Sequence, residues 1–297
     1  MTVSHLGEFA ALTTACCWTV TALSFEAAGR RVGSLPLNWI RLVLGFVFLT
    51  LFRSLFRGEA VPVSAPRSAW IWLSLSGLVC FVFGDLCLFK AFTLIGSRIS
   101  MLIMALAPVL TAWLGWIFLG ETLTLLNMAG MALTIGGIAL VVLERDGGRG
   151  FKLNHPAEGL LLALGGALGQ AGGLILSKHG MGSYDAFAST QIRILAGLAG
   201  FSTLYFFMRV WPRIGDALQD RKAMRLMTLG AFFGPFLGVS FSLIAVQNTH
   251  AGIASTIMAL VPVLIIAPAV LLYREKVTFR EIFGAAAAVS GVALLFL

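Results

Sequence analysis

Residues 103–110 read IMALAPVL and residues 257–264 read IMALVPVL, so two octapeptides differ only at Ala107 and Val261. The agreement continues at the same spacing: Glu121 with Glu275, Thr124 with Thr278, Gly130 with Gly284, Gly137 with Gly291. The chain is an internal duplication, and each half has to build the same unit. In a soluble protein such a repeat would suggest a solenoid. Here 59% of residues are hydrophobic and 11% charged, with a mean hydropathy of +0.94, whereas an ordinary globular domain carries about 25% charged residues. One soluble core cannot hide that much apolar surface. The composition describes a polytopic membrane protein, and at about 20 residues per span the chain has room for about ten spans.

Apolar runs broken by charges, Gly and Pro give ten candidate spans: 6–26, 36–56, 69–91, 97–119, 123–143, 157–177, 186–208, 224–246, 251–273 and 278–296. The longest polar stretch, ERDGGRGFKLNHP at 144–156, divides them five and five. This predicts a first repeat over 1–143, a linker over 144–156 and a second repeat over 157–297. With an odd number of spans per half, the second half enters the membrane from the opposite side. The expected fold is therefore all-α, ten transmembrane helices in two inverted five-helix repeats, an architecture that places a binding site near the midplane between the halves.

The formal net charge of +8 does not point to nucleic acid, because the basic residues are dispersed among the loops, where they anchor at lipid headgroups. Those loops disagree about orientation. Arg209, Arg213, Arg221, Lys222 and Arg225 after span 7, with Arg274, Lys276 and Arg280 after span 9, place both termini outside. Arg53, Arg57 and Arg67 after span 2 argue the reverse. Cys16, Cys17, Cys80 and Cys87 lie in apolar stretches without metal or disulfide spacing. The start of the chain lacks a basic region and a small-residue cleavage site, so Leu6 onward reads as a retained span. His5, His155, His179 and His250 are scattered near loops. With no metal spacing, nucleotide-binding loop or nucleophile elbow, no cofactor is expected.

Several residues stand out against the apolar background. Asp85, in FVFGDLCLFK, is an acid inside span 3, and intramembrane acids are functional by default. It could bind a substrate ammonium, carry a coupling proton, or sit near the interface beside Lys90. Its repeat equivalent is Val239, so symmetry does not explain it. Arg41 in NWIRL and Arg193 in TQIRI occupy similar places near the starts of spans 2 and 7. Snorkelling or an ion pair accounts for them; binding a carboxylate is the sharper alternative. Thr14, Trp18, Thr21 and Phe25 share one face of span 1, either packing or lining a pocket. Span 6 carries Gly165, Gly169 and Gly173, spaced for close approach by a helix or a ligand, with Gln170 and Ser177 interleaved. Spans 4 and 9 offer Ser100, Met101, Met104, Ser255 and Met258, suited to a broad site or to core filling. Pro108 and Pro262 sit inside those spans as hinges or static kinks. Glu121 and Glu275 read as caps of the following helices. Gly130, Thr134 and Gly137, with Gly284, Ala288 and Gly291, read as packing between the halves.

The stretch Pro108–Leu110, then Leu119–Thr124, Gly130 and Gly136–Leu140, resembles the second part of an EamA repeat of the drug/metabolite transporter superfamily, and Pro262, Glu275–Thr278, Gly284 and Gly291 repeat the pattern. The resemblance covers nearly the whole chain, and within the family it is similar to the aromatic amino-acid exporters. It implies a multi-pass carrier of the inner or plasma membrane, not an enzyme, monomeric, exporting small polar metabolites by alternating access through a cavity formed by spans 1, 3, 4, 6, 8 and 9. Neutral or aromatic amino acids are the expected substrates. The expected binding residues are Trp18, Thr21, Asp85, Ser100, Met101, Gln170, Ser177 and Met258, with Pro108 and Pro262 as hinges. A nucleotide sugar, sugar phosphate or cationic drug is the alternative cargo; an intramembrane enzyme or scaffold is the alternative class. An anionic cargo would require Lys or Arg deep in the cavity. Glu8 and Glu26 lie only near the ends of span 1, unlike the central acid of small multidrug exporters, which leaves proton coupling to Asp85.

Overall fold

The computed structural model describes residues 5–119, 124–145, 151–153, 155–248, 254, 257–273 and 278–295. It is almost entirely helical. Helix α1 (Leu6–Val32) ends at Gly33, whose φ of 85° only glycine adopts freely, and whose N–H returns to the Gly29 carbonyl. Arg30 and Arg31 in its last turn favour the negative end of the helix dipole. Helix α2 (Ser34–Arg57) starts directly after that turn and ends at left-handed Gly58. Next comes one long run: α3 (Arg67–Gly77), a π-helical segment (Leu78–Gly84) and α4 (Asp85–Met104). At 38 residues this run would extend about 57 Å if straight, nearly twice the hydrocarbon thickness of about 30 Å. Gly96, at φ 79° and ψ 162°, breaks it. The break falls between the third and fourth candidate spans.

Helices α5 (Leu106–Leu119) and α6 (Leu125–Val142) complete the first half. In place of an unstructured linker, β1 (Leu143–Arg145) pairs antiparallel with β2 (Phe151–Leu153). The second half follows with α7 (Ala157–Met181), α8 (Ala186–Met208) and a short amphipathic helix α9 (Trp211–Gln219) that the sequence reading left inside a loop. Then come α10 (Arg221–Ala231), a second π-helical segment (Phe232–Gly238) and α11 (Val239–Asn248). Helices α12 (Val261–Leu264), α13 (Ile266–Tyr273) and α14 (Phe279–Leu295) end the described chain. Among the described residues, six helical runs are long and apolar enough to cross a membrane, and two shorter apolar helices join them. Large apolar side chains such as Leu55, Phe56, Leu161, Phe206, Phe207 and Leu271 point outward. That outward apolar surface suits lipid and would be a liability in water.

The two π-helical segments occupy equivalent repeat positions, at the same spacing as the two octapeptides. In the second, Pro235 removes an amide N–H from the ladder, which a wider turn accommodates. The small residues behave as packing sites. A Cβ on Gly137 would meet Ala288 and the Gly284 carbonyl, and one on Gly291 would meet Thr134, so α6 and α14 lie in close contact. Gly165, Gly169 and Gly173 admit the third span: their nearest neighbours are Cys87, Gly84 and Cys80.

Each proline follows a short break in its span. Ala105 interrupts the fourth span and Ala259–Leu260 the ninth, again at equivalent positions. Pro108 therefore lies in the first turn of α5, and Pro262 in the first turn of α12. The N–H groups of a first turn have no intrahelical acceptor, so proline costs no hydrogen bond there. Ala105 and Leu260 keep right-handed helical dihedrals, so each break is a local kink just ahead of its proline. Glu121 and Glu275, read as caps, lie outside the described residues. Thr124 and Asn127 cap α6, and Thr278 and Glu281 cap α14: each threonine hydroxyl accepts the third residue's N–H while that residue's side chain accepts the threonine N–H.

Candidate functional site

A cavity with about 780 Å³ of empty space, its open mouth included, lies where the two repeats meet. Trp18, Thr21 and Phe25 come from α1, Arg41 from α2, and Cys80 and Phe81 from the first π-helical segment. Asp85, Phe89, Phe92, Met101 and Met104 come from α4 and Gln170 from α7. Arg193 comes from α8, Gly234 and Pro235 from the second π-helical segment, and Val239 from α11. A second pocket shares Trp18, Met101, Met104 and Gln170 and adds Pro108, Met258 and Pro262. The lining is mostly aromatic and aliphatic with a few converging polar groups, the usual character of a small-molecule site.

The charged groups are the most informative part. Arg41 is 3% exposed and its Nη2 pairs with Asp85 Oδ2. Asn38, one turn earlier on α2, accepts from the same guanidinium at 3.3 Å and donates to the Asp85 carbonyl. The Arg41 guanidinium also lies 4.6 Å from the Phe89 ring centroid, a favourable place for a desolvated cation. Arg193 is equally buried, at 4%. It sits 5.0 Å from the Phe81 ring centroid and lies beside the Cys80 sulfur. The Cys80 thiol in turn donates to Gln170 Oε1 at 3.2 Å. Among the described residues, Arg193 Nε has no hydrogen-bond partner. Arg41 and Arg193 hold equivalent places in α2 and α8, and Asp85 and Val239 hold equivalent places at the ends of the two π-helical segments.

Of the residues singled out in the sequence, Trp18, Thr21, Asp85, Met101 and Gln170 line the first cavity, and Met258, Pro108 and Pro262 the second. Two do not line either. The Ser177 hydroxyl is 2.7 Å from that of Ser76, at the close crossing of α3 and α7. The Ser100 hydroxyl donates to the Gly96 carbonyl inside its own helix. Both are fully buried: their polarity serves helix contacts. The span 1 stripe divides, since Thr14 is buried with its hydroxyl on the Ala10 carbonyl, while Trp18, Thr21 and Phe25 reach the cavity. Lys90 is exposed and lies off the site. Glu26 closes the opposite end of α1. Its carboxylate accepts the Ser97 N–H at 2.8 Å, just after the Gly96 break, and pairs with Arg30.

The sequence reading underrated spans 2 and 7. Their arginines lie two turns inside the helices, not at the membrane surface, and the repeated polar-x-x-Arg pattern, Asn38 to Arg41 and Thr190 to Arg193, was the available signal. Cys80, Phe81, Phe89 and Phe92 carried none, being indistinguishable in sequence from lipid-facing residues. The expectation that basic residues would stay near helix ends is corrected: two guanidinium groups stand in the cavity wall.

The sequence matches the EamA-like transporter family twice, over residues 5–143 and 157–297. The chain belongs to the EamA-like transporter family. No curated protein is significantly similar to it. Among solved structures, one whose title reads only "Crystal structure of protein" superposes with a TM-score of 0.68 at 19% identity, covering 97% of this chain and 95% of that one. At that identity the likeness speaks for the fold alone. Membership in the EamA-like family makes the chain a multi-pass membrane protein of the drug/metabolite transporter superfamily whose members carry small molecules. The cavity accordingly belongs to a chain of a family whose members are transporters.

Proposed function

We propose that this EamA-like protein is a secondary carrier of the inner or plasma membrane that exports small metabolites with an apolar or aromatic body. Neutral and aromatic amino acids are the first candidates. In this reading ten spans form two inverted five-helix halves, and the halves rock as a monomer around the cavity between them. The helix breaks at Ala105 and at Ala259–Leu260, each just ahead of its proline, would serve as hinges because both lie against the cavity.

One observation carries the proposal. Two buried arginines, Arg41 and Arg193, converge with Asp85 and Gln170 on a mostly apolar, aromatic-rich cavity at the junction of the two repeats. Phe25, Phe89 and Phe92 form an edge-to-face and tilted cluster with centroids 5.2 and 5.4 Å apart, suited to an aromatic ring as guest. Asp85 is engaged by Arg41, which argues against a cationic drug as cargo. It is also the carboxylate placed to couple a proton, since the engagement would weaken on protonation.

The test is efflux of a panel of radiolabelled amino acids from liposomes holding the purified protein, with and without an imposed pH gradient. Saturable efflux of aromatic and neutral amino acids supports the reading. Indifference to the gradient makes the protein a facilitator, and acceleration by an opposing gradient assigns coupling to Asp85. Efflux no faster than from empty liposomes for the whole panel, with the protein folded, would overturn it.

A further inference from the structure

We infer that Arg193 is the anchor for the substrate carboxylate, and that the cavity selects aromatic or aliphatic guests bearing a carboxylate over the matching amides and amines. The inference rests on reading the cavity as the substrate site. It comes from an asymmetry within the duplication. Arg41 and Arg193 are equivalent, and so are Asp85 and Val239. In the first half the arginine meets the acid: Arg41 pairs with Asp85, and Asn38 supports it. In the second half the acid is replaced by Val239, which cannot pair. Arg193 is left with the neutral Cys80 sulfur, the Phe81 ring, an unpartnered Nε and the longer-range field of Asp85, whose carboxylate is bonded to Arg41. Among the described residues no carboxylate forms an ion pair with it. The cavity wall thus holds two guanidinium groups and one carboxylate, an excess of one positive charge at 4% exposure.

An unpaired buried cation is costly, and a guest that supplies the missing charge recovers that cost on binding. A planar carboxylate suits the guanidinium fork. The charge balances for a guest of one negative charge. An amino-acid guest keeps that carboxylate contact, and its ammonium can lie against the ring faces of the cavity. The rest of the guest would lie against Phe25, Phe89 and Trp18, which explains the apolar body.

A charge series on one body tests this. Binding of 3-phenylpropanoate, phenylalanine, 3-phenylpropanamide and 2-phenylethylamine would be compared by titration calorimetry with the protein in lipid nanodiscs, and uptake of each into proteoliposomes followed in parallel. The two carboxylate-bearing members, 3-phenylpropanoate and phenylalanine, should bind about tenfold or more tighter than the amide and the amine, the usual scale of a hydrogen-bonded charged contact. Arg193→Gln should remove the preference and Arg193→Lys should keep part of it. Val239→Asp, which gives Arg193 an internal counter-ion, should abolish carboxylate binding while the protein stays folded by its thermal midpoint. Equal binding of the amide, or an unchanged preference in Arg193→Gln, would overturn the inference and leave the carrier reading standing. If no member of the series binds or moves, both fail.

Discussion

Two helix crossings in this molecule are counterparts by the repeat, yet they are packed differently. Where the third span crosses the sixth, glycine meets glycine: a Cβ on Gly169 would stand 2.4 Å from the Gly84 Cα. Where the eighth crosses the first, the glycines of the eighth span make room for side chains. Gly230 faces Phe25, Gly234 faces Thr21 and Gly238 faces Trp18. The first crossing closes backbone on backbone; the second keeps three side chains at the interface, and those three also wall the cavity. Duplication supplied one helix-packing solution twice. Divergence of side-chain size at one copy turned a tight seam into a pocket wall.

The charge pattern follows the same division, and it gives the largest expected effect. Asp85→Ala leaves two buried guanidinium groups without a counter-ion and should destabilise the protein by about 3–5 kcal/mol. Val239→Ala, the equivalent change in the other half, should cost no more than about 2 kcal/mol, as expected for trimming a half-buried apolar side chain. Thermal unfolding of the two variants in the same detergent compares them. Asp85→Ala combined with Arg41→Met should recover much of the loss, and similar losses in the two single variants would show that the halves do not differ as described.

A smaller effect separates the crossings themselves. Gly169→Ala sets its methyl against the Gly84 backbone, which cannot swing aside, and should cost about 1–3 kcal/mol. Gly234→Ala meets the Thr21 methyl at 2.8 Å, a side chain with some freedom to give, and should fall at about 1 kcal/mol. The reverse order, measured by urea or thermal unfolding, would contradict the distinction between a backbone seam and a side-chain wall.

The smallest effect concerns the end of the first–eighth crossing. Asp220 caps α10 by accepting from the Ala223 N–H, and it accepts from Arg31 Nε at 2.9 Å. The backbone hydrogen bond first, then Arg31, hold its carboxyl below the usual range. A depressed carboxylate stabilises fully above its unfolded value, about 3.9, and that contribution fades as pH falls through the lower folded value. Asp220→Asn should therefore unfold at a lower temperature than wild type at neutral pH, with the gap narrowing below about pH 4. A gap that persisted unchanged in acid would mean that the carboxylate charge contributes nothing.

The sequence made some of this legible and not the rest. The paired octapeptides, with Gly130, Gly137, Gly284 and Gly291, revealed the duplication and the α6–α14 contact because close backbone approach demands small residues. The third and fourth spans were separable because Gly96 interrupts the apolar run with a residue that tolerates positive φ. Trp18, Thr21, Asp85, Met101 and Gln170 were legible as candidates because polarity or aromatic stripes stand out on apolar helices. Ser100 and Ser177 looked the same in sequence but bond to Gly96 and Ser76, since a hydroxyl can satisfy a helix contact as readily as a ligand. An ion pair was one expected reading of Arg41 and is what it forms, but the depth of Arg41 and Arg193 was not legible, because a position near a helix start reads as the membrane surface. Seven residues from Ser34 is already about 10 Å of helix, enough to bring Arg41 to the cavity. The π-helical segments left no pattern except Pro235.

The central claim is that the cavity between the repeats is where the substrate binds. Counterflow of labelled substrate in proteoliposomes, with wild type, Trp18→Ala, Gln170→Ala and Met131→Ala reconstituted at matched density, tests it most directly. The account predicts at least about a tenfold loss, roughly 1.4 kcal/mol, for the two cavity variants, and near wild-type rates for Met131→Ala, whose side chain lies outside both pockets. Equal rates in all four proteins would contradict it.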